Sequence, residues 1–383
     1  MRWRFPDPSE EQVRRRVVGH IDAFWASFRE REGALRDDIE GGRPLDLTWL
    51  GQHLEAVDPS LRWEIAHPRG SPWRLLLTTE RHLTPLVEKI LERAPRGLPW
   101  EFLGARPPVE AREAASYLEQ RTGRSLEGWV CRVDPGEHRQ MNVCFGLPDL
   151  GTSSDREALQ AARLTAAVLL GDTLFARWVG SVRVSSLEGF EGGEPLSTLL
   201  PTVERGRLAL LEQLPALPYF ASIEEVSWTL YQSNPRRRPD YPFRTDLLIG
   251  KTVNPQLWAC AHTRVPFHSE RFSRAGETFA YLKMDSEEGF GEGGFEYKSE
   301  AEDALDEALI EARLGCVIGG GSGLRYGYID LALLDVEAAV DVMGRVLREG
   351  KAPRRSWLLF FDDELAGEWI SFHPRTPPPP GAP

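Results

Sequence analysis

The stretch from Cys316 to Asp335, CVIGGGSGLRYGYIDLALLD, constrains the fold most, because it runs a cluster of glycines into the most regular strand pattern in the chain. Gly319, Gly320, Gly321 and Gly323 leave backbone N–H groups free to approach an anion. A phosphate loop or a dinucleotide fingerprint, however, opens directly into a helix. Here Leu324, Arg325 and Tyr326 follow. Ile329, Leu331 and Leu333 then alternate with Tyr328, Asp330 and Ala332, the period of two of a strand with two different faces. The glycines at 319–323 are therefore expected to close a β-hairpin.

Upstream, Ala301, Ala304, Leu305, Ala308, Leu309 and Ala312 recur at helical spacing, with Gly315 placed to stop the helix. Downstream, Val336, Ala339, Val340, Met343, Val346 and Leu347 repeat the pattern between a capping Asp335 and Gly350. With strands over 278–284 (TFAYLKM) and 356–361 (SWLLFF), the order is strand, helix, hairpin, helix, strand. That order predicts a ferredoxin-like split βαβ unit with both helices on one face of the sheet.

The chain of 383 residues has room for two or three domains, and 41% hydrophobic with 27% charged residues is ordinary globular composition. A formal net charge of −12 opposes nonspecific binding to nucleic acid or an anionic membrane. The basic cluster Arg236, Arg237 and Arg238 lies between prolines and reads as a solvated loop. Cys131, Cys144, Cys260 and Cys316 are far apart with no CxxC pair, so reduced, metal-free thiols are expected. The start, MRWRFPDPSEEQVRRR, lacks the apolar core of a signal peptide, and no uncharged apolar run approaches bilayer length. A cytoplasmic location follows as the expectation.

Along the chain, one or two amphipathic helices are predicted over 9–40, and helices over 48–57, 83–93, 109–122 and 154–178. Strands are predicted over 61–65, 73–78, 100–105, 128–134, 139–145 and 180–184. Together these make an α+β N-terminal domain over 9–187, closed by the acidic, glycine-rich EGFEGGEP. Residues 196–278, rich in proline, read as a connecting region, with regular segments only at 196–214 and 227–231. The C-terminal domain spans 279–373, and RTPPPPGAP at 374–383 reads as a disordered polyproline II tail. The acidic loop DSEEGFGEGG at 285–294 fails as a calcium loop, because its sixth position is Phe290 where glycine is needed.

The motifs FWASF, LRWEI, LTPLVEKILERAP, WEFLGARPP and FARWVGSV, between Phe24 and Val184, resemble the bacterial domain of unknown function 695. TFAYLKMD, GCVIGGGSGLRYGYIDLAL and SWLLFFDDELAGEWI look like the uncharacterised module that often follows it. The resemblance covers about two thirds of the chain by its motifs and carries no catalytic residues across. The split βαβ order and the acidity also resemble the small regulator that inhibits ribonuclease E by binding it, a likeness of topology alone.

For chemistry, the chain has no HExxH and no GxSxG, and neither metal nor cofactor is expected. Asp362, Asp363, Glu364 and Glu368 gather beside Trp357 and Trp369. Two carboxylates with an aromatic platform suit acid and base work, whereas acids after an edge strand also form a solvated turn that discourages aggregation. Arg325, Tyr326, Tyr328 and Asp330 make the more suggestive group. The helices cover one sheet face only, so this tyrosine face either meets an unidentified protein partner or packs on residues 196–278. The expectation is a non-enzymatic protein that binds another protein as a regulator, adaptor or immunity-type inhibitor. The alternative is a small-ligand binder or acid/base hydrolase with its site between the C-terminal domain and the middle region.

Overall fold

The computed structural model describes all residues except 68–71, 149, 151–154, 223–226, 264 and 382–383, and the backbone alone of 261–263. It shows helices combined with antiparallel and mixed sheets, an α+β architecture.

The first core rests on one unbroken helix of 30 residues, α1 (Glu11–Glu40). Its Ile21, Phe24, Trp25 and Phe28 fall on one face at helical spacing and are buried. That face meets α2 (Thr48–Val57), α3 (Thr84–Glu92) and a three-stranded sheet, β1 (Arg62–Ala66), β2 (Trp73–Thr78) and β3 (Trp100–Leu103). Trp25 Nε1 donates to the carbonyl of Ile90 at 2.8 Å, so the large indole is buried without an orphaned donor.

A second, separate core follows, where the sequence predicts one N-terminal domain. It comprises α4 (Ala111–Thr122), β4 (Val130–Pro135), β5 (Met141–Leu147), α5 (Asp155–Leu170), α6 (Asp172–Trp178), β6 (Val179–Ser186), β7 (Glu194–Pro195) and α7 (Leu199–Glu212). Its sheet runs β6-β5-β4-β7. The single helix expected over 154–178 bends by 115° between α5 and α6. Gly171 makes the bend: its φ is +74°, and a Cβ there would lie 2.8 Å from the nitrogen of Pro108. The core also extends past the expected boundary at 187, because Leu199 and Val203 of α7 belong to it. No single helix among the described residues is long and apolar enough to cross a membrane.

The third core surrounds a seven-stranded antiparallel sheet. Its strands are β8 (Thr229–Gln232), β9 (Leu247–Thr252), β10 (Thr278–Asp285), β11 (Gly315–Gly323), β12 (Tyr326–Leu333), β13 (Ser356–Phe360) and β14 (Trp369–Ser371), in the order β14-β13-β10-β12-β11-β9-β8. Two of these strands come from the region read as a connector, which also supplies α8 (Pro255–Thr263). Helices α9 (Lys298–Glu311) and α10 (Val336–Glu349) cover the face of Leu282, Ile329 and Leu331. Asp335 caps α10 as predicted, its side chain accepting from Ala338 N at 3.0 Å.

The hairpin is present, but the glycines are not its turn. Gly315–Gly323 is strand throughout, and Leu324 and Arg325 make the connection to Tyr326. The glycines serve close approach instead: Gly320 has φ +150°, and a Cβ there would collide with the Tyr328 carbonyl. The pairing also shifts register between Val317 and Gly319, a bulge that leaves Ile318 as the extra residue.

The tail expected to be disordered is held in place, with Trp357 Nε1 donating to the carbonyl of Pro377 at 2.8 Å and Pro379 buried.

Candidate functional site

The tyrosine face of the sheet is not open. Tyr326, Tyr328 and Asp330 are all 0% exposed. The cover comes from residues 241–260 and 265–272: Tyr241, Leu257, Trp258, Phe267 and Phe272 pack on Phe279, Tyr281, Tyr326 and Tyr328. Of the two fates expected for this face, packing on the middle region is the one observed, and the tyrosines are corrected from recognition surface to interior.

Burying polar groups there demands partners for each. Asp330 lies 2.6 Å from Arg244 Nη1 and accepts from Trp258 Nε1 at 3.3 Å. The Arg244 guanidinium sits 4.9 Å from the Trp258 ring and 5.2 Å from that of Tyr328, so rings offset part of its lost hydration. Tyr328 donates its hydroxyl to Asp246, and the other Asp246 oxygen accepts from the amides of Arg325 and Tyr326, both at 2.9 Å. Asp246 thereby ties the hairpin to the loop before β9. Tyr326 donates to Asp240 at 2.6 Å and accepts from Arg355 at 2.7 Å. Arg325 itself pairs with the buried Asp285 at 2.8 Å.

Lys283, Arg244 and Asp246 escape the sequence reading. Lys283 is fully buried and donates to the carbonyls of Tyr241 and Phe243, while burial pulls its ammonium down to about 8 against the pull of Asp246 and Asp240. Its signal was available, since it alternates in phase with Phe279 and Tyr281 and so shares their face.

Of the acids after the last long strand, Asp362 and Glu364 meet the same segment, 268–270, while Asp363 and Glu368 go elsewhere. Asp362 accepts from the amide (2.7 Å) and hydroxyl of Ser269, and burial pushes its carboxyl up to about 6. Asp363 pairs with Arg81 of the first core at 2.9 Å. Glu364 pairs with Arg177 of the second core at 3.0 Å, and Arg177 also holds Glu270 at 2.9 Å. Asp363 thus reaches the first core, whereas Asp362 and Glu364 both meet the segment 268–270, Glu364 also lying 3.8 Å from His268 Nδ1. Glu368, 3% exposed, accepts from the amides of Trp3, Arg4 and Phe5 at 2.7, 3.2 and 3.1 Å. Trp369 lies under Arg2, with 3.5 Å from guanidinium carbon to ring. Among the described residues no cluster of His, Cys, Asp and Glu could hold a metal ion, and all four cysteines are free thiols.

One group of exposed apolar side chains gathers at the other end of the sheet. Trp228, Leu230, Phe243, Leu248 and Ile249 are 44, 76, 55, 37 and 56% exposed. Strand alternation and the pairing of Leu230 with Lys251 place Trp228, Leu230 and Ile249 on the helix side of the sheet, beyond the helices themselves. Lys251 on that side reaches back to Glu302 of α9 at 2.6 Å. On the opposite side Tyr231 stacks on Trp258 at 4.6 Å, which fixes β8 to the core. β8 ends the sheet, and among the described residues no backbone hydrogen bond reaches its outer edge. The loop that follows carries Arg236, Arg237 and Arg238, all exposed. Compared with protein-family models, curated proteins and solved structures, the chain finds no match.

Proposed function

We propose that this chain acts by binding another protein, and that the binding surface is the free edge of β8 with the apolar side chains beside it. One observation carries the reading: a strand edge that no backbone hydrogen bond reaches among the described residues bears Leu230 at 76% exposed next to Ile249 at 56%. Edge strands are commonly blunted by shortness, charge or proline; β8 is short and is followed by Pro235 and three arginines, but its own helix-side neighbourhood is apolar. Covering Leu230 and Ile249 contributes on the order of 1.5–3 kcal/mol each, and the free N–H and C=O groups of the edge supply register.

The scaffold for this edge is read as ferredoxin-like over 278–360, supported by the element order and by the spatial order β13-β10-β12-β11. Strands β8 and β9 extend that unit and present the edge. The partner is placed in the cytoplasm, in keeping with four unpaired cysteines.

The test is affinity capture from the native cell with the wild-type chain and with the double variant Leu230→Asp, Ile249→Asp, followed by mass spectrometry. A protein retained by the wild type and lost by the variant, with equal melting temperatures for the two baits, is the expected outcome. Identical capture profiles refute the assignment.

A further inference from the structure

Apart from the strand edge, a cleft of about 570 Å³ lies between the second core and the third. Its walls are Arg139 of the β4–β5 turn, Leu210 near the end of α7, Tyr231 of β8, and Pro255, Gln256 and Ala259 of α8. That volume suits a ligand of metabolite size. We propose that the cleft binds a small organic anion, a carboxylate or phosphate carried on an apolar body, with Arg139 as the group that holds the charge. The proposal is independent of the protein-binding reading above.

Arg139 carries the argument. It is half-buried, yet among the described residues it has no ion pair, in a chain of 58 acids to 46 lysines and arginines. It donates to the carbonyl of Leu210 in the last turn of α7, and the negative end of that helix offsets part of its charge. Its Nε is buried with no hydrogen-bond partner. Burial accordingly pulls the guanidinium below the ordinary arginine range, opposed only by Tyr219. A cation removed from water without a counterion raises the free energy of the fold, and an anionic ligand is the partner that the chain does not provide.

The turn that presents Arg139 is built against local preference. His138 and Arg139 have φ of +53° and +57°, and Gln140 N bonds to Glu137 O at 3.0 Å, the pattern of a type I′ turn, which favours asparagine and glycine. Arg271, 0% exposed, braces that turn by donating to the His138 carbonyl at 3.2 Å and brings a second positive charge near it. Another wall is the beginning of α8. The Asn254 side chain caps this helix, accepting from Leu257 N at 3.2 Å, so Pro255 and Gln256 place the positive end of a helix dipole at the cleft. Guanidinium and helix end thus act on one space. Leu210, Ala259 and the Tyr231 ring, held by its stack on Trp258 at 4.6 Å, supply apolar contact.

Benzoate and phenyl phosphate are titrated into the full chain by calorimetry at constant ionic strength, beside benzamide, which keeps the ring and lacks the charge. At least one of the two anions binds a single site below about 1 mM, and benzamide does not. The tighter of the two tells whether the cleft is made for a carboxylic acid or a phosphate ester. Arg139→Gln weakens binding about tenfold or more. Gln256→Glu leaves every contact of Arg139 in place and adds an acid where a helix start accepts one, so it weakens binding about fivefold without lowering the melting temperature.

Dissociation constants above about 1 mM for both anions overturn the proposal, as does benzamide binding as tightly as they do. Affinity unchanged by Gln256→Glu, or by a folded Arg139→Gln, means that the anion sits elsewhere, and the proposal falls. None of these results bears on the strand edge, which is tested through Leu230 and Ile249.

Discussion

Replacing Tyr328 by alanine tests whether the tyrosine face is interior. The side chain is 0% exposed, packs beside Tyr281 and the Arg244 guanidinium, and gives its hydroxyl to Asp246. Truncating a buried aromatic costs roughly 3–5 kcal/mol in lost burial and cavity. Leaving a buried carboxylate without one of its donors adds about 1.5–3 kcal/mol, moderated here because two backbone amides still hold the other oxygen of Asp246. The expected loss for Tyr328→Ala is therefore about 5 kcal/mol. Tyr328→Phe isolates the hydroxyl and is expected to lose about 2 kcal/mol. Urea unfolding followed by tryptophan fluorescence reads both, because Trp258 and Trp357 belong to the same core. A loss below about 1 kcal/mol for the alanine variant would mean that the face opens in solution, and the assignment of Tyr328 to the interior would fail.

Two further outcomes are expected. The Asp362 carboxyl is raised to about 6 by burial, so the folded protein holds a proton there that the unfolded chain has released. Stability from this group is present below about pH 4 and is lost as pH rises through about 6, a change of roughly 3 kcal/mol. Asp362→Asn should flatten stability over that window, and an unchanged pH profile would refute the assignment. Glu368→Ala removes the acceptor of three backbone amides and should destabilise by about 3 kcal/mol. It should also expose residues 2–5 to proteolysis, and a wild-type cleavage pattern would contradict the anchoring role.

What was legible in the sequence is what local physics decides. The helical spacing around Leu305 and Met343, the cap at Asp335 and the alternation from Tyr328 to Leu333 all depend on near neighbours, and each appears where expected. Alternation revealed that the strand has a second face, but the identity of its cover was out of reach, because the cover consists of short segments between prolines with little periodicity of their own. The glycines misled for a related reason. Turn chemistry is read from adjacent residues, whereas Gly320 is required by a neighbouring strand's carbonyl. The acids were the least legible, since Asp363 meets Arg81 across 282 positions and Glu364 meets Arg177 across 187. The exposed edge left one trace, apolar Leu230, Leu248 and Ile249 on either side of a proline-rich basic loop, but exposure itself is a property of the assembled sheet.

The carboxylate of Glu368 also sets an order of events during synthesis. It joins residues separated by 365 positions, and at ribosomal rates roughly 20–70 s pass between the making of Trp3 and of Glu368. The helices and strands of the first core are complete long before that, so residues 2–5 must wait unattached while three cores are made in turn. Phe5 reaches its stacking partner Phe360 only at the close. Until then strand β13 has no neighbour on its outer side, because β14 follows Glu368 in the chain, and a nascent chain paused before Trp369 is the form in which this sheet edge is open to the wrong partner.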